Sequence, residues 1–259
     1  MFIPRVMPCL LLKDKGLVKT KQFTNPVYVG DPINAVKIFN NFEAHELTFL
    51  DIDASKQKRT ISVELVKKIN EEAFMPFAVG GGINSVEKAK GLIHAGAEKI
   101  ILNTSAFENP DLITDIADVI GSQSVVVSID AKKVGNNYKM FICGGTKETN
   151  TDAIEFAKLA EGKGAGEILI NFIDRDGLRQ GYDLELIRKI SSSVKIPVIA
   201  IGGADNLGDF EKAISAGASA VSAGSMFVFV GKKNAVLINY PDKDELSDIF
   251  KNLVINKKL

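Results

Sequence analysis

The feature that most constrains this chain is an internal repeat. Residues Glu46–Thr104 align without a gap on Glu167–Ser225, at an offset of 121 residues. Glu46 falls on Glu167, Asp53 on Asp174, Glu64-Leu65 on Glu185-Leu186, Lys68-Ile69 on Lys189-Ile190 and Pro76 on Pro197. Further along, Gly81-Gly82 falls on Gly202-Gly203 and Ala95-Gly96-Ala97 on Ala216-Gly217-Ala218. Each copy reads as strand, helix, strand, helix, strand. Two copies, each with a lead strand, give eight strands alternating with helices. The predicted fold is therefore an α/β (β/α)8 TIM barrel with an internal half-barrel repeat. The 259 residues match the roughly 250 that such a barrel uses. The chain reads as one domain, 1–259, with half-barrels of about 1–121 and 122–259. A doubly wound open sheet is the structural alternative, but it does not account for the symmetry.

The strands are expected at about 5–12, 46–52, 76–80, 98–103, 124–130, 167–172, 197–201 and 219–224. Most are nearly continuous in Val, Ile, Leu, Phe and Ala, as parallel strands covered on both faces must be. Between them apolar residues recur at helical spacing, as with Ile61, Leu65 and Ile69 in 60–72. Residues 131–148 read as a small hairpin after the fifth strand, with Gly135-Asn136-Asn137 at its turn.

Charge narrows the partners. Lys plus Arg and Asp plus Glu are 32 each, so the formal net charge is zero, and neither nucleic acid nor an anionic membrane is expected as the main partner. Two cysteines, Cys9 and Cys143, make no disulfide framework, and a reducing cytoplasm is the expected compartment. Met1-Phe2-Ile3-Pro4-Arg5 does not read as a signal peptide, and no apolar run approaches the roughly 18 residues of a membrane span. His45 and His94 sit in separate, helical-looking contexts without Cys or Asp at ligand spacing. No metal site and no cofactor are expected.

The glycine pairs suggest an anion site. Val79-Gly80-Gly81-Gly82 follows the third strand and Ile201-Gly202-Gly203 the seventh, while Asn103-Thr104-Ser105 and Gly224-Ser225 end the fourth and eighth. Glycine lets backbone N–H groups approach an anion, and hydroxyls add donors. Two symmetric clusters, Gly81, Gly82, Asn103, Thr104 and Gly202, Gly203, Gly224, Ser225, imply a small molecule phosphorylated at both ends. Tight turns are the plainer explanation of either pair alone. Asp130 ends the apolar run Val125–Ile129 and is the candidate proton-transfer group. Asp53 and Asp174, equivalent in the repeat, read better as caps or ion pairs. Lys19, in what reads as a polar loop after the first strand, is a candidate anion clamp. At the opposite end Glu46, Lys99, Glu167 and Ala220 begin strands 2, 4, 6 and 8, with Arg5 early in the first strand. Alternate strands contribute layers to a barrel interior, so these residues form either a buried charged layer gating the axis or a salt-bridge cluster closing the barrel end.

The chain resembles the cyclase subunit of imidazole glycerol phosphate synthase over essentially its whole length. The resemblance is carried by Arg5…Pro8-Cys9-Leu10, Gly30-Asp31-Pro32, Val79-Gly80-Gly81-Gly82-Ile83, Ser128-Ile129-Asp130-Ala131-Lys132, Gly164-Ala165-Gly166-Glu167-Ile168-Leu169 and Asp174-Arg175-Asp176-Gly177. It implies a glutaminase subunit docked at the amino-terminal face, and ammonia passing a gate matched by Arg5, Glu46, Lys99 and Glu167. It also implies two aspartates at the top acting on a bisphosphorylated substrate, with Asp176 and Gly177 among the binding residues. Asp130 matches one aspartate. The other is absent: where the family reads Cys-Leu-Asp-Val-Lys, this chain has Cys9-Leu10-Leu11-Leu12-Lys13. Asn171 and Ile201 also replace small hydroxyl residues. The runs Lys13–Thr20, Gly30–Asn40 and Ala235–Pro241 resemble a branch of the family associated with glycosyl amidation and encoded with surface-polysaccharide genes. That branch implies ammonia supply to a separate sugar amidotransferase. Two other readings stand beside it: a histidine-pathway cyclase that tolerates Leu11, and a non-catalytic scaffold that activates the glutaminase.

Overall fold

The structure, a computed structural model, describes residues 4–231 and 233–256. Residues 1–3 of the segment considered above as a leader lie outside them. Eight parallel strands close on themselves: β1 (Arg5–Lys13), β2 (Leu47–Asp51), β3 (Phe77–Gly80), β4 (Lys99–Leu102), β5 (Val125–Val134), β6 (Glu167–Phe172), β7 (Val198–Ile201) and β8 (Ala220–Ala223). Each pairs with the next, and β8 pairs back onto β1 with Arg5 opposite Ala220 and Pro8 opposite Ala223. The fold is a (β/α)8 barrel. An offset of 121 residues carries β2 onto Ile168–Phe172 of β6, β3 onto β7 and β4 onto β8. The repeat is thus expressed strand by strand.

Alternation along the strands separates two cores. Val6, Leu10, Phe49, Val79, Ile100, Val127, Ile168 and Val221 face outward and pack under the helices. Met7, Cys9, Ala78, Ile101, Val126, Leu169, Ile199, Ile201 and Ala220 fill the barrel, with Leu11 and Leu50 packed against them. The period-2 geometry of a strand imposes this division, because neighbouring residues point to opposite faces. The helix expected within 60–72 runs Val63–Glu72, where the Ser62 hydroxyl accepts from the Leu65 N–H at 3.3 Å.

Three local expectations change. Lys19 lies not in a loop but in a strand, Gly16–Lys21, which pairs antiparallel with the end of β1 and with Thr24–Gly30. Its consecutive neighbours Leu17 and Val18 are both buried, so the segment is covered on both faces. The hairpin after β5 forms, with Val134 opposite Asn137, but a further strand, Lys147–Asp152, pairs with its second arm. His45 is in the connection before β2 rather than in a helix, and its Nδ1 accepts from the Val6 N–H at 3.2 Å. Among the described residues no helix is long and apolar enough to cross a membrane.

Candidate functional site

A cavity of about 620 Å³ opens at the carboxyl ends of the strands. Leu11, Lys19, Gly81, Gly82, Asn103, Thr104, Asp130, Asp176, Gly224 and Ser225 all line it. Gly177, Gly202 and Gly203, expected beside them, are not in its wall. A side chain on Gly177 would strike the Thr20 carbonyl, and the Gly203 carbonyl accepts from the Gly181 N–H at 2.8 Å. These two glycines serve close packing between loops. Of the two glycine-rich clusters, Gly81, Gly82, Asn103 and Thr104 on the β3–β4 side and Gly224 and Ser225 on the β7–β8 side line the cavity.

Asp130 is almost fully buried, and the Ser128 hydroxyl points to its Oδ1 at 3.4 Å. Burial pushes the Asp130 carboxyl up to about 7; the Ser128 hydroxyl opposes the rise and Asp176 adds to it. A carboxyl poised near neutrality can both accept and return a proton. Lys19 is also buried. Its ammonium donates to the Cys9 carbonyl and lies 2.5 Å from where a Cβ on Gly224 would stand, so a side chain there would displace the ammonium. Burial lowers its pKa against the attraction of Asp176. The Thr20 hydroxyl donates to Asp176 Oδ2 at 3.2 Å, so one accessory strand holds both Lys19 and the Asp176 contact. Across the cavity, Asn103 Nδ2 donates to the Ser128 carbonyl at 3.0 Å and the Thr104 hydroxyl to Asn103 Oδ1 at 3.2 Å.

Leu11 presents only hydrocarbon to this space. Its register partners are Leu50 on β2 and Val18 on the accessory strand. Asp14 does not line the cavity and brings no carboxyl to the place of residue 11. Asp51, which ends β2 in the wall, holds the Arg59 guanidinium with both oxygens, and the Cys143 N–H donates to Thr104 Oγ1 at 3.0 Å; neither Arg59 nor the Cys143 backbone was singled out by sequence. Asp53 pairs with Lys13, and Asp174 Oδ2 accepts from the Lys133 N–H at 3.1 Å. Both aspartates therefore have structural partners.

At the other end of the barrel, Arg5 bridges Glu46 and Glu167, each at 2.5 Å. Lys99 approaches the same two carboxylates at 3.3 and 3.2 Å. Two cations and two carboxylates balance, as buried charges must. Ala220, opposite Arg5, is fully buried and leaves this layer narrow but unplugged by a large side chain. Above it Met7, Ala78, Val126 and Ile199 form an apolar stretch. Among the described residues no group of three or more His, Cys, Asp or Glu is placed to hold a metal ion.

These observations define a (β/α)8 barrel with an ion-paired floor and a polar cavity at its top. Residues 5–232 match the family model described as "Histidine biosynthesis protein". The chain belongs to that family. It is 49% identical over 247 residues to the "Putative imidazole glycerol phosphate synthase subunit hisF2" of Pseudomonas aeruginosa, covering 93% of this chain and 97% of the relative. It is 48% identical over 247 residues to the "Putative imidazole glycerol phosphate synthase subunit hisF3" of Vibrio vulnificus, covering 93% and 94%. It is also similar to the "Imidazole glycerol phosphate synthase subunit HisF" of Campylobacter concisus, at 46% over 228 residues, covering 88% and 90%.

Proposed function

We propose that this protein is the barrel subunit of a glutamine-dependent amidotransferase. It receives ammonia from a partner glutaminase at the amino-terminal face and releases it into the upper cavity, for amidation of a sugar by a separate amidotransferase in surface-polysaccharide synthesis. The observation that carries this reading is an intact charged floor beneath a cavity whose proton-transfer pair is broken: Asp130 stands without a second carboxyl at residue 11. Ammonia is neutral, so the apolar stretch above the floor favours it over ammonium, whose charge would have to be desolvated. Exposed aromatic surface supports docking at the strand-start end, where Phe74 is 89% and Phe42 40% exposed. In the cavity, Gly81, Gly82, Asn103 and Thr104 hold one anionic end of a phosphorylated ligand, and Lys19, Gly224 and Ser225 face the other.

A second reading is a working cyclase of histidine biosynthesis. The names of the relatives favour it, as does an Asp130 carboxyl titrating near neutrality. Turnover of the bisphosphorylated imidazole-pathway substrate with saturating ammonium separates the two. The amidotransferase reading expects turnover at least about 100-fold below that of an ordinary cyclase, partly restored by Leu11→Asp, because a positioned acid or base contributes 100-fold or more. Ordinary turnover by the unmodified protein would establish the cyclase reading instead.

A further inference from the structure

Val6, the residue after Arg5, is fully buried at the start of β1. The β1–β2 ladder begins only at Cys9 opposite Thr48. Val6 and His45 each stand three residues before that first pair, and β2 itself starts later, at Leu47. Side chains take over where the ladder is missing. The Val6 N–H donates to His45 Nδ1 at 3.2 Å, and the Tyr240 hydroxyl donates to the Val6 carbonyl at 2.9 Å. The His45 N–H donates in turn to the Tyr240 hydroxyl oxygen at 3.3 Å. These three bonds close on themselves and tie together β1, the approach to β2 and the segment after β8. Buried backbone groups must be paired, and here two side chains supply what a neighbouring strand would.

The two side chains are held for this task. The Tyr240 ring is buried, edge-on to Phe39 at 6.4 Å and to His45 at 6.2 Å, with Phe227 at 5.3 Å. Burial, then Lys243, lowers the His45 pKa, so Nδ1 stays open as an acceptor at neutral pH. Lys243 is itself ion-paired with Glu43. Burial raises the Tyr240 pKa, so its hydroxyl keeps the proton that it donates. Each bonded backbone adjoins a member of the charged floor: Arg5 precedes Val6, and Glu46 follows His45. Those two side chains meet at 2.5 Å.

We propose that His45 and Tyr240 are positioning residues of the ion-paired floor: by fixing the Val6 backbone against the approach to β2, they keep Arg5 and Glu46 facing each other. Among the described residues neither side chain hydrogen-bonds to Arg5, Glu46, Lys99 or Glu167, so both act through the backbone. The consequence for ammonia passage rests on the reading of the floor as a gate.

The test is reductive methylation of the full-length protein with formaldehyde and a borohydride, read at each lysine by mass spectrometry. Lys99, held by both floor carboxylates, reports the floor, and Lys19, buried at the other end of the barrel, is the control. Tyr240→Phe keeps the packed ring and removes its two hydrogen bonds; His45→Leu removes the Nδ1 acceptor. Each is expected to speed methylation of Lys99 by about 10-fold, the equivalent of one to two hydrogen bonds, without changing Lys19. His45→Asn, whose Oδ1 can stand in for Nδ1, is expected to match the unmodified protein. Unchanged Lys99 in both Tyr240→Phe and His45→Leu overturns the proposal. So does a parallel rise at Lys19, which would mean general loosening, or His45→Asn behaving like His45→Leu. The same variants are then assayed for ammonia delivery in the reconstituted complex with a glutaminase. A Lys99 response with delivery unchanged would leave the positioning role standing and sink the gate reading.

Discussion

At the scale of the residue, the barrel interior sets protonation by burial. Asp130 is held at about 7, far above an ordinary carboxyl, first because water is excluded from it. The sign of the stability effect follows. The folded state binds this proton more tightly than the unfolded chain, so stability falls as pH rises from about 4 through 7, and the full cost is present above 7. Asp130→Asn removes the titration. We expect the variant and the unmodified protein to be equally stable near pH 4, and the variant to be more stable at pH 8 by on the order of 2–4 kcal/mol. Denaturant unfolding at the two pH values measures this, and an equal difference at both would show that Asp130 titrates normally.

At the scale of the element, loops are shaped by backbone approach as much as by ligand chemistry. Gly82 has φ +64°, and a Cβ there would collide with the Arg59 carbonyl. That carbonyl belongs to the residue whose guanidinium Asp51 holds, so the β3 turn and the β2 loop are packed as one unit. Gly135, in the hairpin turn after β5, has φ +61° but open space around it. Gly135→Ala should cost only the conformational strain, about 1 kcal/mol. Gly82→Ala should cost several times more, since backbone must move as well. Thermal melts of the two variants make the comparison; equal losses would mean that the β2 loop yields freely.

At the scale of the whole molecule, closure of the sheet turns eight separate strands into one axis with different ends. The ion-paired floor and the polar cavity are separated by layers of inward side chains. Ala220→Phe would fill the narrow layer at the floor, at about 1–3 kcal/mol from overpacking. In the reconstituted complex with a glutaminase, conduction along the axis predicts that this variant loses ammonia delivery while glutamine hydrolysis continues. A scaffold that only activates its partner would lose neither.

Much of this was legible in the sequence because periodic and repeated features are local properties of the chain. The 121-residue repeat determined the strand count and the barrel, and the strand-end positions of Asp130, Asn103, Thr104, Gly224 and Ser225 put them at one face, since βα turns follow the strands. The replacement at Leu11 was equally plain, because a missing carboxyl needs no coordinates to be noticed. What the sequence left open was decided by contacts between distant segments. Lys19 became a buried strand residue because the end of β1, Leu11–Lys13, runs past its pairing with β8 and is open to a further strand. Gly177 and Gly203 have backbone of other loops packed where a side chain would stand. His45 and Tyr240, far apart in the chain, became partners because the β1–β2 ladder starts only at Cys9 and Thr48, which leaves the buried Val6 backbone for side chains to satisfy.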